Sequence, residues 1–126
     1  MFVRKKILPL LSLLLLLLLA SCSSLASLPV EPDMLDGDNI ESLVVNEAEL
    51  YKYCLTLNAW LVTARDYVGK YYPADKFPYF QRFDSQYEGG AGLTGVRSRI
   101  LYYKKYAEEM RPIAQSIYAA YKARKE

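Results

Sequence analysis

The sequence predicts an all-α domain in which two long helices pack as an antiparallel hairpin, with a short aromatic helix in the connection. Two stripes carry this expectation. Leu50, Cys54, Leu57, Leu61, Ala64, Val68 and Tyr71 recur at alternating intervals of four and three residues, as do Val96, Ile100, Tyr103, Ala107, Met110, Ala114, Ile117 and Tyr121. That period is an apolar helix stripe close to a heptad seam. Two amphipathic helices of similar length, each with a single seam, bury most area against each other at a shallow crossing angle.

In chain order, the first element is not part of the fold. Arg4, Lys5 and Lys6 form a positive leader, and the run from Ile7 to Leu19 is leucine-dominated, interrupted only by Pro9 and Ser12. Its apolar core of about 13 residues is shorter than the roughly 20 that a membrane-spanning helix needs. The pattern is a cleaved secretion signal over residues 1–21. At its foot stand Leu19, Ala20, Ser21 and Cys22: an aliphatic residue, two small ones and a cysteine. This stretch resembles the lipobox of bacterial lipoprotein precursors. The resemblance implies that a signal peptidase recognises Leu19, Ala20 and Ser21 and cuts before Cys22. It also implies a diacylglyceryl thioether on the Cys22 sulfur and an acylated amine. Two or three acyl chains hold a protein at a membrane far more firmly than one. Ser23, where aspartate would imply inner-membrane retention, favours the outer membrane.

Removing residues 1–21 leaves 105 residues, enough for one small domain. Three of the 16 Lys+Arg go with the leader, so 13 remain against 14 Asp+Glu, a net charge of −1. The basic balance of the whole chain therefore gives no reason to expect nucleic-acid binding. The charge is also unevenly placed. Between Ser23 and Glu49 there are seven acidic residues and no Lys or Arg, whereas from Arg97 onward there are eight basic residues and three acidic ones. Residues 22–45 read as the lipidated N-terminus and an acidic, disordered tether, with Pro29 and Pro32 blocking helix. Extended, about 20 such residues span up to roughly 70 Å, enough for the folded part to stand clear of the lipid surface.

The helical domain is then expected over residues 46–126. Asn46 suits an N-cap, Glu49 can close a capping-box variant, and Val45 with Leu50 can form a hydrophobic staple. Pro73 ends that helix, giving about 47–71. The connection is too long for a simple turn. Phe80, Phe83 and Tyr87 share a helical face after Pro78, which suggests a short helix at about 78–87. Thr94 can cap the second long helix, at about 95–123. Pro112 inside it removes one hydrogen bond, but the stripe continues in phase across it, so one kinked helix is expected rather than two. A folded part of this size is near the limit for a single core, which keeps self-association open.

Candidate chemistry is sparse. The chain has no histidine, so His-based triads and His metal sites are excluded, and no metal site, cofactor or catalytic constellation is expected. Asp66, Asp84 and Glu88 show no spacing that favours an acid–base pair. Cys54, the cysteine left after lipidation, sits in the seam, where a small buried hydrophobe is the usual explanation; a reactive thiol is the alternative. Gly90, Gly92 and Gly95 spell G-x-G-x-x-G before a helix, but neither a strand nor a βαβ unit precedes them, so a turn is expected rather than a nucleotide loop. The stretch from Tyr67 to Lys76 looks a little like the helix end and turn of tetratricopeptide repeats, yet no second copy follows. The last helix carries Tyr102, Tyr106 and Tyr118 among Lys104, Lys105, Arg111, Lys122 and Arg124. This is either a face for an anionic envelope surface or the polar side of a bundle.

Taken together, these features predict a lipid-anchored envelope protein that is not an enzyme. It is expected to be a scaffold or accessory subunit that binds another envelope component or itself. The alternative is a module that takes a small ligand, an anionic polymer or lipid headgroups, through the aromatic connection or the Tyr/basic face.

Overall fold

The computed structural model describes residues 24–72 and 76–125. The leader, the lipobox with Cys22, and Pro73 lie outside the described residues. Helix α1 spans Ile40–Val68, a 3₁₀ turn follows at Gly69–Tyr71, and α2 spans Gly92–Lys125. The class is the expected one: two long helices, with no strand among the described residues.

Helix α1 starts at Ile40 rather than at 47 because a different asparagine caps it. Asn39 has extended backbone angles, its Oδ1 accepts from the Ser42 N–H at 2.8 Å, and Glu41 adds an acid to the first turn. Asn46 is therefore interior, and Val45 is exposed rather than stapled. Helix α2 runs through Pro112 as one helix, as the in-phase stripe implied. Pro112 and Glu108 are both exposed, so water can serve the Glu108 carbonyl that proline leaves without its helical partner.

The short helix expected at 78–87 does not form. The connection is irregular because its backbone groups are taken by side chains of the two helices. The Phe83 N–H donates to Asn58 Oδ1 at 3.1 Å, the Asp84 N–H to the Tyr102 hydroxyl at 2.8 Å, and the Tyr106 hydroxyl to the Gln81 carbonyl at 3.1 Å. Asp84 also accepts from the Gln86 N–H at 3.1 Å, an Asx turn that competes with helix.

The relative direction of the helices corrects the antiparallel expectation. Glu47 pairs with Arg99, the Cys54 thiol donates to the Tyr103 carbonyl at 3.3 Å, the Tyr106 hydroxyl donates to Asn58 at 3.2 Å, and Trp60 meets Tyr118 at 6.1 Å between rings. Start therefore lies beside start and end beside end, so α2 runs parallel to α1. The connection is the return: Phe80 lies beneath Arg65, Ser85 beside Tyr51 and Glu88 beside Arg99. An α-helix of 29 residues is about 43 Å long, and roughly 20 extended residues reach about 65 Å, so the connection is long enough.

The N-terminal stretch is not a free tether. It runs antiparallel to both helices along their other side, from Leu25 at Tyr121 through Glu31 at Arg111 to Asp38 at Arg97. Leu25 is buried, and Leu28 and Met34 pack against the core. The core thus lies between two parallel helices with an extended segment on each flank, and Cys54, Leu57, Leu61, Val68 and Ile117 are fully enclosed.

Candidate functional site

Four faces of α1 explain how the chain is assembled and what it leaves uncovered. The seam of Leu50, Cys54, Leu57, Leu61, Ala64 and Val68 meets α2. On one flank Asn46, Tyr53 and Trp60, spaced by seven, hold the N-terminal segment. Asn46 accepts from the Leu35 N–H at 2.8 Å and donates back to the Leu35 carbonyl at 3.0 Å, and the Trp60 indole donates to the Ala26 carbonyl at 2.8 Å. Tyr53 accepts from Arg111 at 3.4 Å, and Arg111 in turn pairs with Glu31. On the other flank Tyr51, Asn58 and Arg65, also spaced by seven, hold the connection at Ser85, Phe83 and Phe80.

The fourth face points away from α2 and carries Ile40, Val44, Ala48, Leu55, Ala59 and Val62. Ile40 is 61% exposed, Val44 48% and Leu55 39%. Ala48 and Ala59 are exposed too, and Val62 is half-buried. This line runs for about 33 Å at 1.5 Å per residue. A helix face turned to water normally carries charge.

Three of the seven early acids, Glu31, Asp38 and Glu47, pair with three of the eight late bases, Arg111, Arg97 and Arg99. Asp38–Arg97, at 3.5 Å, is exposed and contributes little. Glu47–Arg99 is half-buried, and the hydrogen bond that the Arg99 guanidinium donates to the Glu47 carboxylate holds it firmly charged. Arg99 also donates to the carbonyls of Glu88 and Gly90, the latter at 3.2 Å. Gly89, Gly90 and Gly92 adopt positive φ, and a Cβ on Gly95 would stand 1.9 Å from the Gly90 oxygen. The G-x-G-x-x-G stretch is a close-packed turn clasped by an arginine.

The five basic residues of the expected anionic-surface face do not form one patch. Lys104, Arg111 and Lys122 share a line on α2, whereas Lys105 and Arg124 stand about 100° and 200° round the helix from it. Arg111 is committed to Glu31 and Tyr53, and Lys122 lies over the Tyr118 ring at 5.1 Å. Lys104, Lys105 and Arg124 are exposed. The tyrosines are packing residues: Tyr106 is buried, and Tyr102 and Tyr118 are half-buried. Burial pushes the Tyr106 and Tyr103 hydroxyls up from their ordinary range.

The aromatic connection is filled at its centre. Phe83 lies 5.1 to 5.8 Å from the rings of Tyr106, Tyr103, Tyr102 and Tyr51. A shallow cleft of about 570 Å³ opens at its start, between Arg65, Phe77, Tyr79, Phe80 and Arg82. Cys54 is fully enclosed, and burial pushes its thiol up to about 12, so it behaves as a small hydrophobe. Among the described residues no group of three Cys, Asp or Glu is placed to hold a metal ion, and no helix is long and apolar enough to cross a membrane.

Sequence reasoning missed the two flanking repeats. Their signal is visible in hindsight: polar and aromatic residues at sevens beside a seam, and a proline-rich stretch that still carries Leu25, Leu28 and Met34.

The chain is 32% identical over 117 residues to the outer membrane lipoprotein BBA14 of Borreliella burgdorferi, covering 92% of this chain and 93% of that protein. Together with the lipobox, this kinship makes the chain a lipid-anchored protein of the outer membrane. A family model matches residues 27–123, from the start of the docked N-terminal segment almost to the end of α2, and on that match the chain belongs to the Borrelia orf-D family.

Proposed function

We propose that this protein is a non-enzymatic scaffold that holds another envelope protein against the outward face of α1. The observation that carries this reading is the uncovered line of Ile40, Val44, Ala48, Leu55 and Ala59, which ends at half-buried Val62. The seam and both flanks of α1 are already occupied, and burying a further aliphatic side chain is worth about 1.5–3 kcal/mol. Glu41 and Asp66 stand at the two ends of this face and Lys52 at its edge, so its partner presents an apolar stripe to the aliphatic side chains between them. The filled centre of the connection weighs against the small-ligand alternative, for which the shallow cleft beside Arg65 is the place among the described residues.

The test is a photo-crosslinking residue placed at Val44, at Leu55 or at Lys105 in intact cells. A partner band of one mass is expected from the first two positions and not from Lys105. The double substitution Val44→Lys, Leu55→Lys should remove its contact while leaving the helical signal intact. A band at twice the mass of the chain would mean self-association instead. No band from either position, or the same band from all three, would sink the reading.

A further inference from the structure

The N-terminal segment is held differently from the rest of the fold, because its backbone bonds to the helices gather at its two ends. At one end the Leu25 N–H donates to the Tyr121 hydroxyl at 3.1 Å and the Ala26 carbonyl accepts from the Trp60 indole at 2.8 Å. At the other, the Leu35 N–H and carbonyl close on the Asn46 amide at 2.8 and 3.0 Å. Between them, among the described residues, no backbone group of residues 27–34 bonds to either helix, and Glu31–Arg111 is the polar contact. Of the side chains in residues 24–38, Leu25 is buried, Leu28 and Met34 are half-buried and Val30 is 89% exposed. Clefts of about 270 Å³ beside Trp60 and 300 Å³ beside Lys52 border the segment on the α1 side, and one of about 170 Å³ lies at Arg111 on the α2 side. A stretch with few buried apolar contacts and accessible hydrogen bonds opens at a small fraction of the free energy of global unfolding. The connection on the other flank is held more deeply, with Phe83 enclosed by four rings.

Its place in the chain gives that opening a consequence. Cys22, the residue that the lipobox marks for lipid, precedes Leu25 by three residues, which reach about 10 Å at most. Leu25 lies beside Tyr121 and one turn-rich end of the bundle, where the parallel helices finish, so docking holds that end close to the anchor. Once the segment leaves, the 16 residues from Ser23 to Asp38 become a stalk of up to roughly 55 Å. Gly37, at φ 104°, is the pivot, and the Asn39 cap beyond it keeps the start of α1 in place.

We infer that the N-terminal segment is a releasable strap that sets the height of the helical domain above the membrane. Docked, it draws the helix ends down to the lipid; released, it lets the whole domain, with its seam and its connection intact, stand off on the stalk. The height change rests on lipidation at Cys22, whereas the opening itself does not. The strap goes beyond the partner-holding face of α1, since it governs how far that face reaches from the surface. Two ion pairs with exposed carboxylates, Glu31–Arg111 and Asp38–Arg97, tie the strap to α2, so salt favours release by screening them.

Trp60 is the single tryptophan of the chain and is 6% exposed beside the strap, which makes its fluorescence a reporter of docking. The experiment uses the full lipidated protein on phosphatidylcholine vesicles, unsubstituted and as L25S/E31Q. In the unsubstituted protein the amide hydrogens of Leu25 and Leu35 should exchange at least about ten-fold faster than that of Leu57, in the middle of α1. In L25S/E31Q, quenching of Trp60 by acrylamide should rise several-fold with the helical signal unchanged, and a fluorophore at Ala123 should escape a quencher carried on the lipid headgroups. Exchange at Leu25 and Leu35 as slow as at Leu57 would mean that the segment leaves only when the whole chain unfolds, and overturns the strap. Unchanged Trp60 quenching in the variant, or a rise that comes with loss of helix, overturns it too. Ala123 that stays quenched while Trp60 is exposed overturns the change of height, and loss of the unsubstituted protein from the vesicles overturns the anchor on which that height depends.

Discussion

At the scale of single residues, burial and not residue type decides what each polar group does. Asn46 has the chemistry of a helix cap and is used as a clamp, because its amide can both accept from and donate to the backbone of Leu35. Leaving a buried amide unpaired would cost about 1–3 kcal/mol. Cys54 shows the same logic in a titratable group. Its folded-state pKa is raised from an ordinary value of 9.0 to about 12, so the folded chain keeps a proton that the unfolded chain releases in that window. Stability from this site is therefore complete below about pH 9 and is lost as pH rises towards 12. Tyr103 and Tyr106, raised by burial, act in the same direction. In chemical denaturation the midpoint should fall between pH 8 and pH 10.5, and Cys54→Ala should flatten that fall. A thiol reagent at pH 8 should label Cys54 only after unfolding; rapid labelling of the native protein would contradict the enclosed thiol.

At the scale of elements, the interiors of both helices were legible and their edges were not. The stripes placed the seam because a 3.6-residue period survives whatever lies at the ends. The start of α1 was missed because Ile40 to Val45 are mostly exposed and contribute little to the stripe, while Asn39 makes a cap like any other asparagine. Pro112 lies inside one helix, as the unbroken stripe implies. It is exposed on α2, where it removes a hydrogen bond without opening the core. In the lipid-free protein, Pro112→Ala should raise stability by about 1 kcal/mol or more, seen as a higher melting temperature, since it restores that bond and relieves the ring clash. A fall instead would mean that Ala114, Ile117 and Tyr121 depend on the geometry the proline imposes.

At the scale of the whole molecule, two parallel helices and two extended returns make one compact unit from four segments. An antiparallel hairpin would have buried the same two seams. The parallel arrangement also buries Phe80 and Phe83 on one flank and Leu25 on the other, each worth about 1.5–3 kcal/mol. Direction can be measured with spin labels at Lys52 and Lys104 and at Lys52 and Lys122. The first pair should be close, because Tyr51 and Tyr103 are neighbours, and the second should be farther apart by an amount approaching the 27 Å rise of 18 helical residues. The reverse order would restore the antiparallel hairpin.

By itself, the sequence determined the address and the class. The leader, the lipobox and two apolar stripes are local patterns, each read from residues near one another in the chain, and local periodicity is what a helix is made of. The charge asymmetry was equally visible, but its meaning was not: seven acids before Leu50 and eight bases after Val96 could be a solvated tether and a binding face, or segments held together in part by ion pairs between them. Only the tertiary structure decided between these, because Glu31 and Arg111 are 80 residues apart and become partners only once the helices run parallel. The same fact decided the fate of the tether. Leu25, Leu28 and Met34 are too few to fold alone, and a proline-rich stretch cannot satisfy its own backbone. The groove between two parallel helices offers apolar burial together with the side chains of Asn46, Trp60 and Tyr121, and that combination exists nowhere in the linear chain.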